Sequence, residues 1–420
     1  MTARQKKNSI HVSSMIDART GLQKRDFSYG VFFSSFSKCL NRLGIEFEHL
    51  PRPEIYPETK HTDSSLKIHL IIRKFPAIRV VAGAYNIAVI AWEFEKLQSE
   101  YSYEEGPFYD QLGTLMRVEE VWATSTHMTK VLRSNGIEQV HFLPSPVAAP
   151  FWLGPLTEAA FIQRRSSRYF GRLAFLPTFS LTAISGLDGE GTKNEEFELP
   201  LLKRIKNPDV AIIYISVFNP EDPRKNVETL IQVFASFSYN NSNSYLILKC
   251  NTELKSAALR LLLVSRIAST VSMNCDNIIF LCDDLSVNQL ADLYRLCDFY
   301  LCLSHGEGQN LPLQESMACG CIPVSVENTA MSDCVTANSG FVIKSTLSNI
   351  GKKVCFHNIP GLEWYTCSVA DVYKQLEKSS LATTEQLYLK YMNCVDIISN
   401  VYSEDAVASR ISTMFERITR

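Results

Sequence analysis

The chain has 420 residues, 46% hydrophobic and 20% charged, with 42 Lys and Arg against 44 Asp and Glu for a net charge of −2. That length suits two or three domains, and the composition excludes a disordered or collagen-like chain. Near-neutrality argues against a strongly basic nucleic-acid binder, so no nucleic-acid partner is expected.

The N-terminal stretch MTARQKKNSIHVSS is basic but has no apolar signal-peptide core behind it. Apolar runs such as Ile87–Trp92 fall far short of the roughly 20 residues of a spanning helix, so a cytoplasmic protein is expected. Strand patterns follow over Ile10–Ile16, 45–50, 68–72, 87–92, 118–124 and 140–146. A helix over Val31–Leu43 carries Phe32, Phe36, Cys39, Leu40 and Leu43 on one face. The stretch 151–207 is turn-rich around SGLDGEGTKNEE and reads as a connection with an insertion.

The second half repeats the same grammar. VAIIYISV (210–217) is a continuous apolar strand, followed by a two-proline turn and a helix from Asn226 to Phe237. NSYLILKC, DNIIFLC and DFYLCLS supply further strands, and Ser286 with Gln289 forms a capping box. Alternating strands and helices predict an α/β protein of two facing Rossmann-like domains with a cleft between them. The expected bounds are 1–207, 208–400 and a C-terminal helix over 401–420 that packs back toward the first domain.

Two turns carry chemistry. In SHGEGQNLPLQESMACGCIPV (304–324), Gly306 and Gly308 follow a buried strand, Pro312 suits the first helical turn and Gly320 ends the helix. Glu307 and Glu315 bracket this turn with seven residues between them. A strand–glycine-turn–helix offers free backbone N–H groups and a positive dipole end to phosphate. In NPEDPRKNVETLIQVF (219–234), Arg224 and Lys225 stand just before a helix, where cations oppose the dipole and a bound anion would account for them.

The segment EGQNLPLQESMACG (307–320), the turn PRKN (223–226) and the strand–helix–strand 280–304 resemble the nucleotide-sugar half of a family 4 glycosyltransferase with the GT-B fold and its E-x7-E motif. The resemblance implies a retaining, metal-independent transfer from a nucleotide-diphosphate sugar to a saccharide or lipid-linked saccharide, in cell-surface polysaccharide or glycolipid assembly. It needs no other cofactor. By the same resemblance Glu315 binds the donor ribose and Glu307 the sugar hydroxyls. Arg224 and Lys225 neutralise the leaving diphosphate, and backbone N–H groups at Gly308, Gln309, Asn310 and Leu311 hold phosphate and sugar. The chain departs from the family at Asn219, where an arginine is common, and at Gln309 and Asn310, where an aromatic and a glycine are usual.

In the first half the resemblance points to Gly30, at a helix start, as the counterpart of a donor-facing glycine loop. Trp92 and Glu93 are the acceptor-side candidates, against the alternative of a core Trp beside a solvated Glu. His127 reads as a surface-helix residue. His305 reads equally as a ligand contact or a structural histidine. The stretch 161–175 mixes four arginines with aromatics, which suits either peripheral contact with the inner face of a membrane or a solvated connector. Of twelve cysteines only Cys39 lies in the first half, and no C-x2-C pair occurs, so reduced, packed thiols are expected and no metal. Two other functions fit: a nucleotide-sugar epimerase on the same fold, or a non-catalytic nucleotide-sugar-binding subunit.

Overall fold

The computed structural model describes residues 9–14, 27–55, 67–97, 110–180, 199–220, 222–250, 276–349 and 363–419. The first sheet contains β1 (Ser9–Ser14), β2 (Glu48–His49), β3 (Lys67–Ile72), β4 (Tyr85–Ile90), β5 (Glu120–Ala123) and β6 (Val140–Phe142). All six run parallel in the order β2-β1-β3-β4-β5-β6. β3, β4 and β5 are buried at almost every position, as parallel strands covered on both faces must be. One face is covered by Phe32, Phe36 and Leu40 of the helix Phe27–Arg42. Val407, Ile411 and Phe415 of the C-terminal helix Glu404–Thr419 join them there. Buried Glu120 ties that returning helix down, accepting from Arg417 at 2.7 Å, Tyr85 at 2.8 Å and Trp122 at 3.1 Å.

The second sheet contains β7 (Pro177–Ser180), β8 (Leu199–Pro200), β9 (Ile212–Phe218), β10 (Ser244–Cys250), β11 (Ile278–Leu281), β12 (Phe299–Cys302), β13 (Ile322–Val326) and β14 (Phe341–Ile343). The order is β14-β13-β12-β9-β10-β11-β7-β8. β9 is central: β10 and β11 build outward on one side of it, and β12 to β14 on the other. The strand order therefore reverses between β9 and β12, where a doubly wound sheet opens a crevice at its carboxyl edge. The capping box of Ser286 and Gln289 is present.

The described part of 151–207 belongs physically to this second domain rather than to the first. Phe151, Phe161, Phe170, Leu173, Leu201 and Ile205 are buried in its core. β7 pairs antiparallel with β11 and covers what would be an exposed edge of parallel strands. The polar run 185–196 lies outside the described residues. Three of the four arginines of 161–175 turn inward. Arg164 donates to the carbonyls of Cys319 (2.7 Å) and Gly320 (2.9 Å) at the end of the helix Leu311–Ala318. Arg165 and Arg168 meet Asp298 at 2.8 and 2.6 Å. Burial would push the Asp298 carboxyl up, but the two guanidiniums outweigh it and hold it below its usual value.

Eight described cysteines, Cys39, Cys250, Cys297, Cys302, Cys319, Cys321, Cys334 and Cys394, are free and buried as small apolar groups. Among the described residues no cluster of His, Cys, Asp or Glu could hold a metal, and no helix is long and apolar enough to cross a membrane.

Candidate active site

The two motif turns leave adjacent strands at the switch point. After β9, the Asp222 side chain accepts from the N–H of Arg224 at 3.0 Å and starts a short turn, Pro223–Lys225. Asn226 takes a left-handed φ of 52°, and the helix Val227–Asn240 begins. After β12, residues 304–310 lead into the helix Leu311–Ala318. Asn310, at φ 65°, caps that helix by accepting from the N–H of Leu313, and Pro312 occupies its first turn. Gly320 closes the helix at φ 92°.

Gly306 and Gly308 are needed for close approach, not for an unusual backbone angle. A Cβ on Gly306 would stand 2.6 Å from the carbonyl oxygen of Glu93, and one on Gly308 would stand 2.7 Å from Cβ of Ala91. The glycine turn thus presses against the segment following β4 of the first domain. Thr124, after β5, donates to the carbonyl of Gly308 at 2.9 Å.

The cations of the first turn reach the carboxylate of the second. Lys225 Nζ lies 2.6 Å from Glu307 Oε1, and Arg224 Nη1 lies 3.3 Å from Glu307 Oε2. Arg224 also meets Asp222 at 2.7 Å, the carbonyl of Gly306 at 3.0 Å and, across the domain boundary, Glu93 at 3.1 Å. Burial raises the Glu307 carboxyl, but Lys225 and Arg224 outweigh it, so Glu307 is held below its ordinary value and ionised. Burial dominates at Glu93 and raises it, although Arg224 pulls the other way. A narrow cavity beside the cluster is lined by Ser216, Phe218, Lys225, Tyr300, Ser304 and Glu307.

The remaining sequence candidates divide. Glu315 takes no part in the ion cluster; it sits mid-helix near Tyr294, and burial pushes its carboxyl up to about 7. Gln309 is buried, and its amide accepts from Ser145 N–H (2.8 Å) and donates to the Ser145 carbonyl (2.9 Å) and to Gln314 (2.8 Å). It fastens the two domains together. Leu311 is the first, half-buried residue of its helix.

Gly30 lies in the fourth position of the helix Phe27–Arg42. The neighbouring Tyr29 hydroxyl accepts from the N–H of Ala91 at 3.3 Å, so this helix start faces the same segment as the glycine turn. Trp92 points into the first domain's core against Phe75 and Phe94, its Nε1 donating to the Lys96 carbonyl at 3.0 Å.

His127 is not on an open surface. Asp333 of the second domain caps its helix through the N–H and hydroxyl of Thr126 and closes over that end. His305 is structural: its Nδ1 pairs with the Tyr365 carbonyl at 2.6 Å, and its ring stacks on Trp364 at 4.0 Å. Both partners lie on the hairpin of β15 (Ser345–Asn349) and β16 (Glu363–Cys367). That hairpin reaches the first domain through Lys96–Glu363 (2.8 Å) and Tyr365–Glu95.

Sequence reasoning missed Asp222, Thr124, Ser145, Asp333 and Glu95. Only Asp222 had a local signal, an Asp-Pro pair before a helix. The others act across the domain boundary.

Residues 203–352 match the family model described as Glycosyl transferases group 1. No curated protein matches the sequence. Among solved structures, sucrose-phosphate synthase from Thermosynechococcus elongatus is 12% identical over 98% of this chain and 99% of its own, with a TM-score of 0.60. HepE from Anabaena, solved with UDP and glucose, is 12% identical over 98% and 100%, with a TM-score of 0.56. A glycosyltransferase from Rickettsia africae is 10% identical over 99% and 100%, with a TM-score of 0.55. The chain spans 55% of TarM from S. aureus and 57% of the pneumococcal O-GlcNAc transferase GtfA. At these identities the likeness is one of fold, and the fold is GT-B: two Rossmann-like domains facing each other, the second carrying the family match.

Proposed function

We propose that this chain is a retaining glycosyltransferase of the E-x7-E, family 4 type. It moves a sugar from a nucleotide-diphosphate sugar to a saccharide or lipid-linked saccharide without a bound metal. The observation that carries this reading is the meeting of Arg224, Lys225 and Glu307 at the carboxyl ends of β9 and β12, facing the first domain. Breaking a glycosyl–phosphate bond develops negative charge on the departing diphosphate, and two cations fixed in a water-poor crevice stabilise it. Glu307, kept ionised, accepts hydrogen bonds from the sugar hydroxyls, and Glu315 binds the ribose. The backbone N–H groups of 308–311 take up phosphate and sugar oxygens. The proposed setting is the cytoplasm, in polysaccharide or glycolipid assembly, with contact at the inner membrane face where the acceptor is lipid-linked.

The test is transfer from UDP-, GDP-, ADP- and dTDP-sugars to saccharide acceptors, with and without EDTA, read by NMR of the new anomeric centre. Retention in EDTA, lost in Lys225→Ala and Glu315→Ala, is the expected result. Full activity in both variants removes the site assignment, and turnover without acceptor replaces transfer with epimerisation.

A further inference from the structure

Arg224 is the most heavily engaged side chain of the site, and one of its partners comes from the other domain. Its guanidinium meets Asp222 at 2.7 Å, Glu93 at 3.1 Å and Glu307 at 3.3 Å. The three carboxylates are not equally committed. Asp222 is two residues away and also accepts the N–H of Arg224 at 3.0 Å. Glu307 is held independently by Lys225 at 2.6 Å. The pair with Arg224 is the one ion pair Glu93 makes among the described residues.

Two cations facing three carboxylates leave a negative excess inside a crevice. A diphosphate brings about one further negative charge per phosphate. Like charges in contact repel strongly in a crevice of low dielectric, so the cluster as it stands opposes the anion it is suited to hold. The conflict is relieved if one carboxylate gives up Arg224. Glu93 is the one that can do so, because it alone is carried by the first domain and its one ion pair among the described residues is with Arg224. Burial, together with Glu307 and Asp222 nearby, already raises its carboxyl against the pull of Arg224 and Lys225, and Tyr29 faces it from the helix behind.

We propose that Glu93 is a built-in stand-in for the donor diphosphate: its carboxylate occupies Arg224 in competition with a nucleoside diphosphate, which displaces it on binding. This rests on the donor site proposed above and makes Glu93 a positioning residue that acts through Arg224. The exchange has a mechanical consequence. Glu93 continues directly from Ala91 and Trp92, whose backbone meets Gly308, and its own carbonyl faces Gly306. Filling the diphosphate position therefore releases the ion pair that joins Glu93 of the first domain to Arg224 of the second.

The test is calorimetric titration of wild type, Glu93→Gln and Glu93→Ala with inorganic pyrophosphate and with UDP, GDP, ADP and dTDP. Pyrophosphate reports the anion position without regard to the base, and the alanine variant serves if the glutamine variant does not fold. Removing a competing charge-assisted contact should tighten pyrophosphate and the best-bound nucleotide roughly tenfold. A residue that merely supports the fold, or that contacts the donor, would weaken them. Equal or weaker binding in both variants, with a nucleoside diphosphate still bound by wild type, overturns the displacement and leaves the donor site standing. Binding of none of these ligands by any of the three proteins overturns both.

Discussion

The turn 304–310 of the second domain and the segment 91–94 of the first meet face to face, yet they are built in different ways. In the turn, Asn310 caps a helix and Glu307 is held by Lys225, both within the second domain. In the facing segment, neighbours have opposite fates. Trp92 enters the core beside Phe75 and Phe94, while Glu93 crosses to Arg224. Adjacent after β4, Trp92 and Glu93 point to opposite sides, so only Glu93 of the pair reaches the cleft. The contrast separates a site fixed by local geometry from one completed by a single side chain of the other domain.

Four variants probe that contrast, beginning with the largest effect. Lys225→Ala leaves Glu307 without its closest cation and should cut transfer by about 10²–10³, as loss of one preorganised electrostatic group does, measured as kcat/KM. Asp298→Asn leaves Arg165 and Arg168 facing a neutral partner in the scaffold beneath the turn. It should cost on the order of 3 kcal/mol, read as an earlier thermal unfolding transition. If it does not, the second domain is less firmly built than its ion pairs indicate.

Gly308→Ala drives a methyl to 2.7 Å from Ala91 Cβ, so about 1–3 kcal/mol of overpacking should appear as weakened domain contact. Faster hydrogen exchange at 91–94, with β9 and β10 unchanged, would show it. The smallest effect is a pH dependence. The Glu315 carboxyl, raised to about 7, favours its protonated form in the folded protein. Stability should fall as pH climbs from the ordinary carboxyl range through 7 and then level off. Glu315→Gln should therefore gain on the order of 1 kcal/mol over wild type at pH 8 and nothing at pH 5, measured by thermal unfolding.

The sequence and the structure agree most where signals are local and repeated. The alternation of strands and helices, the capping box at Ser286, the helix stop at Gly320 and the buried thiols were all legible, because each follows from periodicity, backbone conformation or composition. The two charged turns were legible as a pair because both precede helices. Partners drawn from distant chain segments were not. Nothing near Gln309 announces that its amide will clasp Ser145, and nothing near Thr126 announces Asp333. The arginines of 161–175 misled for a related reason. A basic aromatic run looks solvated until the carbonyls of Cys319 and Gly320 and the carboxylate of Asp298 are brought beneath it.

We assign Arg224 and Lys225, meeting Glu307 between the domains, as the diphosphate site of a nucleotide-sugar donor. The most direct measurement is the affinity of wild type and Lys225→Ala for UDP, GDP, ADP and dTDP, with folding of both checked by thermal unfolding. Wild type should bind at least one of them, and the variant, equally folded, should bind it about 30-fold more weakly, the loss expected for one charge-assisted contact of about 2 kcal/mol. Equal affinity in the two proteins would contradict the assignment.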